Sequence, residues 1–210
     1  MTPRQVLVRR VGRARDSIRS WFVVPPEWLD WLLAFLERVD RRRRGVRPAR
    51  RDGMLAIELA RHGEDPVRLV DGTIVRRGDQ VCHVHFRNER VRALSGAGWQ
   101  AAARHAAGVD LAVIAGWWQS LDPARRPVAF RATTILVPLI RREGWEIHPR
   151  APTLRARVDD WFMRWLLLHW SPGGRDRLRR HPRLASVDGW LSGPAFVSRY
   201  APAATEATSG

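Results

Sequence analysis

The sequence predicts an α+β fold, a small antiparallel sheet over about residues 54–86 packed by several helices, with an amphipathic helix near the amino terminus. Three observations predict it. Apolar residues alternate with period two in the stretch around Leu55–Leu59 and again in Gln80–Phe86, the signature of half-buried strands. Segments on both sides carry apolar residues at helical spacing, with capping residues at their ends. The chain has 210 residues, 45% of them hydrophobic, which supplies enough apolar surface for one sizeable core and argues against a wholly disordered polymer.

Taken in order, residues 15–22 form a short helix, and a clearer one spans Pro26 to Arg43. Pro26 suits the first helical position, Glu27 and Asp30 the positive end of the helix dipole, and Arg41 to Arg44 the negative end. Trp28, Trp31, Leu32, Phe35, Leu36 and Val39 share one broad face of it, which must bury against something. Val46 to Gly53, with Pro48 and three arginines, reads as a loop. Leu55, Ile57 and Leu59 then point one way and Ala56 and Glu58 the other. Asp71-Gly72, between Val67–Val70 and Thr73–Val75, is the dipeptide of a type I′ hairpin, and Gly78-Asp79 turns the chain into the strand Gln80–Phe86.

Beyond the sheet, Asn88 is an N-cap with Glu89 in the first turn. Two or three short helices follow to residue 121, broken at Gly96, Gly98 and Gly108, with a new N-cap at Asp110. A helix from Thr133 to Arg142 ends at Gly144, Trp145–Ile147 is a short strand, and a longer helix runs from Thr153 to His169. Its face of Leu154, Val158, Trp161, Phe162, Trp165 and Leu168 should be core. A small helix covers Gly193–Tyr200. The organisation is therefore an arginine-rich arm with its amphipathic helix (1–51), an α+β domain (52–200) and a disordered tail (201–210).

Charge is the unusual quantity. The 37 basic residues are all arginine and exceed the 21 acidic ones by 16. Fourteen arginines against five acids lie within residues 1–51, so the first quarter of the chain holds more than half of the excess. A single cysteine, Cys82, excludes an intramolecular disulfide and suggests a reducing compartment. The apolar stretch Leu111–Leu121 is too short to span a membrane, and Trp21–Val24 is stopped by Pro25-Pro26 before it reaches signal-peptide length. The expectation is a cytoplasmic protein, peripheral to a membrane if the arm docks there.

Among residues with chemistry to offer, His83 and His85 leave the same side of their strand, opposite Cys82, Val84 and Phe86. Two such imidazoles can supply two ligands to a divalent metal, which would activate water in a hydrolase, with Asp79 or a distant carboxylate completing the set. No spacing identifies a third ligand among His62, His105, His148, His169 or His181, and the plainer reading is a polar strand face. A phosphate-binding loop ending in lysine is excluded because the chain has no lysine. Ser192 lacks a nucleophile elbow and a neighbouring histidine, and Asp159-Asp160 are adjacent on a helix and diverge by about 100°. No cofactor is expected unless the two histidines hold a metal.

Eleven tryptophans invite a base- or sugar-stacking role, yet Trp28, Trp161 and Trp165 fall on apolar helix faces. Trp117-Trp118 and Trp190 have no such face, which leaves one of them free to be exposed. The run Arg41, Arg42, Arg43, Arg44 with Arg47, Arg50 and Arg51 beyond it is either a solvated helix end or an adhesive patch for an anionic lipid surface or nucleic acid. No helix-turn-helix, zinc-finger or RNA-recognition motif accompanies it.

Asp71-Gly72-Thr73-Ile74, Gly78-Asp79, Val84-His85-Phe86 and Asn88 resemble the signature of the YkoP-like bacterial domain. Arg131-Ala132-Thr133 through Gly144-Trp145, and Trp190-Leu191-Ser192 through Tyr200, are similar to its later blocks, so the resemblance spans about residues 30–200. It implies a biochemically uncharacterised domain that occurs alone or beside polysaccharide deacetylases and similar envelope enzymes. Carried over by position, it singles out Asp79, His85, Asn88, Arg131, Trp190 and Ser192. The arginine-rich arm and His83 depart from the pattern. The resulting expectation is a non-catalytic accessory or binding module linked to envelope polysaccharide; a His83/His85 metal hydrolase and a polyanion binder are the alternatives.

Overall fold

The computed structural model describes residues 35, 38–93, 99–170, 174–181 and 184–202. The helix expected at 15–22, most of that expected at 26–43, the breaks at Gly96 and Gly98, and the tail beyond 202 lie outside the described residues. The chain divides into two compact units at Arg44/Gly45. In the first, residues 38–43 are helical and Arg44 pairs with Asp40 at 2.6 Å, one turn away.

In the second unit the two alternating segments become β2 (Leu55–Arg61) and β5 (Gln80–Phe86), paired antiparallel from Leu55↔Phe86 to Arg61↔Gln80. They are the centre of a wider sheet than expected. β1 (Arg47–Pro48) pairs on the outer edge of β2, within the stretch read as a loop, where a proline costs no ladder bond. β6 (Ala129–Thr134), β7 (Glu146–Pro149) and β8 (Val187–Ser192) extend the other side, giving the order β1-β2-β5-β6-β8-β7. The sheet is mixed, not antiparallel throughout, because β5 and β6 run parallel with His83 beside Arg131.

Strand β6 replaces the first part of the helix expected at Thr133–Arg142. The β-branched Thr133 and Thr134 favour the pleated backbone, and the helix α3 (Val137–Arg142) begins only after Thr134 Oγ1 accepts the Leu136 amide at 2.9 Å. Strand β8 was not foreseen, since Asp188 and Gly189 are poor strand formers. Gly189 suits the packing: a Cβ there would stand 2.8 Å from Ile140 Cδ1 and 3.3 Å from Trp145 Cε3, so these side chains would have to shift.

β3 (Val67–Arg68) and β4 (Ile74–Val75) form a separate ribbon. Its turn is not type I′. The Gly72 amide donates to Leu69 O at 3.0 Å and the Leu69 amide to Thr73 O at 2.8 Å. Among the described residues only glycines have positive φ, Gly72 at +87°, so Asp71 stays in the ordinary region and glycine alone supplies the left-handed step of a three-residue loop.

Helix α1 (Asn88–Ala93) precedes α2 (Trp99–Ser120), a single 22-residue helix that runs through Gly108 and Asp110. Asp110 caps no helix. It is fully buried and its carboxylate accepts the Met54 and Leu55 amides at 2.5 and 2.8 Å, anchoring the start of β2. The core lies between the sheet and the helices. Leu55, Ile57, Cys82, Val84, Phe130 and Leu191 project from one sheet face onto Leu111, Ile114 and Ala115 of α2 and Phe196 of α6 (Gly193–Tyr200). Phe130 and Phe196 stack at 3.7 Å between ring centroids.

In α4 (Leu154–Trp170), Ala156, Trp165 and Leu167 are buried, whereas Leu154, Val158 and Trp161 are exposed, contrary to their expected place in the core. The short helix α5 (Gly174–Arg180) follows it. No helix among the described residues is long and apolar enough to cross a membrane.

Candidate functional site

Alternation along each strand sends the remaining side chains to the opposite sheet face, and the strand register aligns them. One row crosses five strands as Glu58, His83, Arg131, Trp190 and Glu146. The next holds His85 opposite Ala56, and Thr133, Asp188 and His148 on the far side. A third row, with Val81 and Ala129, lies under the β3–β4 ribbon, where Leu69, Val75 and Trp190 complete a small apolar cluster. The polar rows thus begin where this ribbon's apolar cover ends.

Arg131 is the centre of that face. Its Nη1 and Nη2 donate to Glu64 Oε1 and Oε2 at 2.9 and 3.3 Å, and Nη2 also donates to Asp188 Oδ2 at 2.6 Å. Thr133 Oγ1 donates to the other Asp188 oxygen at 2.7 Å. The guanidinium carbon lies 5.1 Å from the centroid of the Trp190 ring. Burial works against the charge of Arg131, but Asp188 and then Glu64 outweigh it and hold its pKa above the ordinary value. The two carboxylates differ in one respect: the Asp188 side chain is 5% exposed and that of Glu64 63%.

Beside Arg131, the rings of His83 and His85 stack 6.2 Å apart at 18°, leaving the same side of the strand. They have different roles. His85 Nε2 lies 2.9 Å from Glu58 Oε2, a buried carboxylate. Burial, reinforced by the neighbouring positive Arg131, pushes the His83 pKa down to about 4, so its imidazole is neutral at physiological pH. His62, 3% exposed, packs edge-on to Trp190 at 5.7 Å and bonds Asp65 O at 2.9 Å, closing the segment that carries Glu64.

Of the positions singled out by resemblance, Arg131, Trp190 and His85 meet on this face. Ser192 lies on it under the β3–β4 ribbon, where its hydroxyl donates to the Asp71 carboxylate and accepts the Ala195 amide at 3.1 Å as the N-cap of α6. That bond from Ser192 lowers the Asp71 pKa. Asp79 is apart, in the turn before β5, where Oδ2 accepts the Arg76 amide at 2.6 Å. Asn88 opens α1. Trp190 is 1% exposed and so forms the floor of the face and not an open stacking platform.

Sequence reasoning passed over Glu58, Glu64, Thr133 and Asp188, the partners that fix His85 and Arg131. A carboxylate on the non-core side of an otherwise apolar strand was the available signal for Glu58. Among the described residues no three His, Cys, Asp or Glu side chains are grouped to hold a metal ion, so the His83/His85 pair has no third ligand there.

The arginine run is divided in the same way. Arg47 belongs to β1 and lies over the Trp117 ring at 5.1 Å, and Arg50 Nε is 3.4 Å from the buried Asp110. Arg42, Arg43 and Arg51 are exposed.

Neither a curated protein nor a solved structure matches the chain. The sequence profile of the YkoP domain matches residues 27–200, which takes in every residue of the polar face, and the chain therefore belongs to the YkoP domain family.

Proposed function

We propose that this protein is a non-catalytic binding module whose polar sheet face receives a saccharide of the bacterial envelope. The observation that carries the reading is the row Glu58, His83 and Arg131, set on three adjacent strands with each ionic group already held by a partner. Strand-borne side chains locked by neighbours make a preorganised surface, and little ordering entropy is lost when a ligand arrives. A neutral imidazole and carboxylate oxygens offer the mixed donors and acceptors that sugar hydroxyls match. The resemblance to modules found beside polysaccharide deacetylases favours the same ligand class.

Calorimetric titration of the full chain with envelope-type oligosaccharides, such as a chitin tetramer and a glucuronate-containing tetramer, tests this. Saturable binding weakened about tenfold by His83→Ala, with no new product by mass spectrometry, is the expected result. Turnover abolished by His85→Ala, or no binding at millimolar saccharide, overturns it.

A further inference from the structure

The pair formed by Arg131 and Glu64 is asymmetric in a way that names the ligand more closely. Arg131 is held from beneath without Glu64: Asp188 accepts from Nη2 at 2.6 Å, Thr133 fixes Asp188, and Trp190 lies against the guanidinium. Glu64 adds a two-pronged carboxylate from a mainly exposed side chain on the segment between β2 and β3. An ion pair with one partner in solvent contributes little to stability, so this carboxylate is easily replaced by another of the same geometry. Arg131 Nε is also buried and has no hydrogen-bond partner, so the guanidinium keeps a donor that neither Asp188 nor Glu64 uses. The fork is thus fixed in place from beneath, while its outer side is closed by a carboxylate that reaches it from solvent.

We propose that Glu64 stands in for a ligand carboxylate, and that the polar face binds an acidic saccharide whose uronate group displaces Glu64 from Arg131. The inference rests on the saccharide reading above and adds the charge of the sugar. Arg131 then binds the carboxylate in its planar fork, and the neutral His83 beside it meets a ring hydroxyl. Displaced Glu64 moves into solvent, which its exposure already favours. Its carboxylate competes with ligand for one site, so the free protein is self-inhibited.

The test is calorimetry on the full chain with two probes, a glucuronate-containing tetrasaccharide and the same tetrasaccharide with its carboxyls reduced to alcohols. Glu64→Gln is the decisive variant because its exposed side chain leaves the buried Asp188–Arg131 pair intact. It should bind the uronate probe roughly fivefold more tightly than the parent protein and leave the reduced probe unchanged. Arg131→Gln should lose the preference for uronate; if that variant unfolds, the Glu64→Gln comparison still decides. Equal affinity for both probes, unaltered by Glu64→Gln, overturns the inference and leaves the saccharide reading standing. Binding of neither tetrasaccharide overturns the inference together with the saccharide reading. Loss of affinity in Glu64→Gln overturns the inference by making Glu64 part of the binding surface.

Discussion

Replacing Asp188 by asparagine removes one charge at the centre of the polar face with almost no change in volume. Asp188 is 4% exposed, accepts from Arg131 at 2.6 Å and from Thr133 at 2.7 Å, and has Arg150 Nε 3.7 Å away. Asparagine retains one acceptor but presents an amide donor to neighbours that are themselves donors. Breaking a buried ion pair by removing one partner costs about 3–5 kcal/mol. Because Glu64 still faces Arg131, the lower figure applies, about 3 kcal/mol, which lowers the melting temperature of a domain this size by about 6–12 °C. Calorimetry on Asp188→Asn, Arg131→Met and the double variant separates the pair from its surroundings. The double variant should be no less stable than Arg131→Met alone, since the partner left stranded in each single variant is gone. Additive losses in the double variant, or a loss below about 0.5 kcal/mol in Asp188→Asn, would refute the assignment of Asp188 as the anchor of Arg131.

His83→Gln should change how stability depends on pH. In the fold the His83 pKa is depressed from 6.5 to about 4, so the unfolded chain takes up its proton first as pH falls. The contribution of the neutral imidazole is complete above pH 6.5 and is lost between pH 6.5 and about 4, a difference of about 3 kcal/mol. Denaturant titrations of parent and variant across that range should therefore diverge; parallel curves would contradict the burial argument. Asp110→Ala strips the acceptor from the buried Met54 and Leu55 amides and should cost about 3 kcal/mol, with faster hydrogen exchange at both. Unchanged exchange would show that the carboxylate does not hold the start of β2.

What could be read in the sequence was whatever local pattern decides. The period of two in Gln80–Phe86 placed His83 and His85 on one face, and the small helix expected at Gly193–Tyr200 is where the chain forms it. What escaped depends on partners remote in the chain. Arg131 meets Asp188 across 57 residues and Glu64 across 67, and His85 meets Glu58 across 27. Local propensity also misled at β8, where Gly189 is there to admit Ile140 and Trp145 and not to turn the chain. Asp110 resembled a helix cap because aspartate commonly serves as one; here its carboxylate is used by a neighbouring strand.

The same-direction pairing of β5 with β6 has a consequence for how the polar face comes into being. No hairpin can join two strands that point the same way, so the long helix α2 must be threaded between them before the imidazole of His83 stands next to the guanidinium of Arg131. A fragment ending ahead of residue 129 retains both histidines and Glu58 yet cannot set Arg131 beside them to complete the polar face.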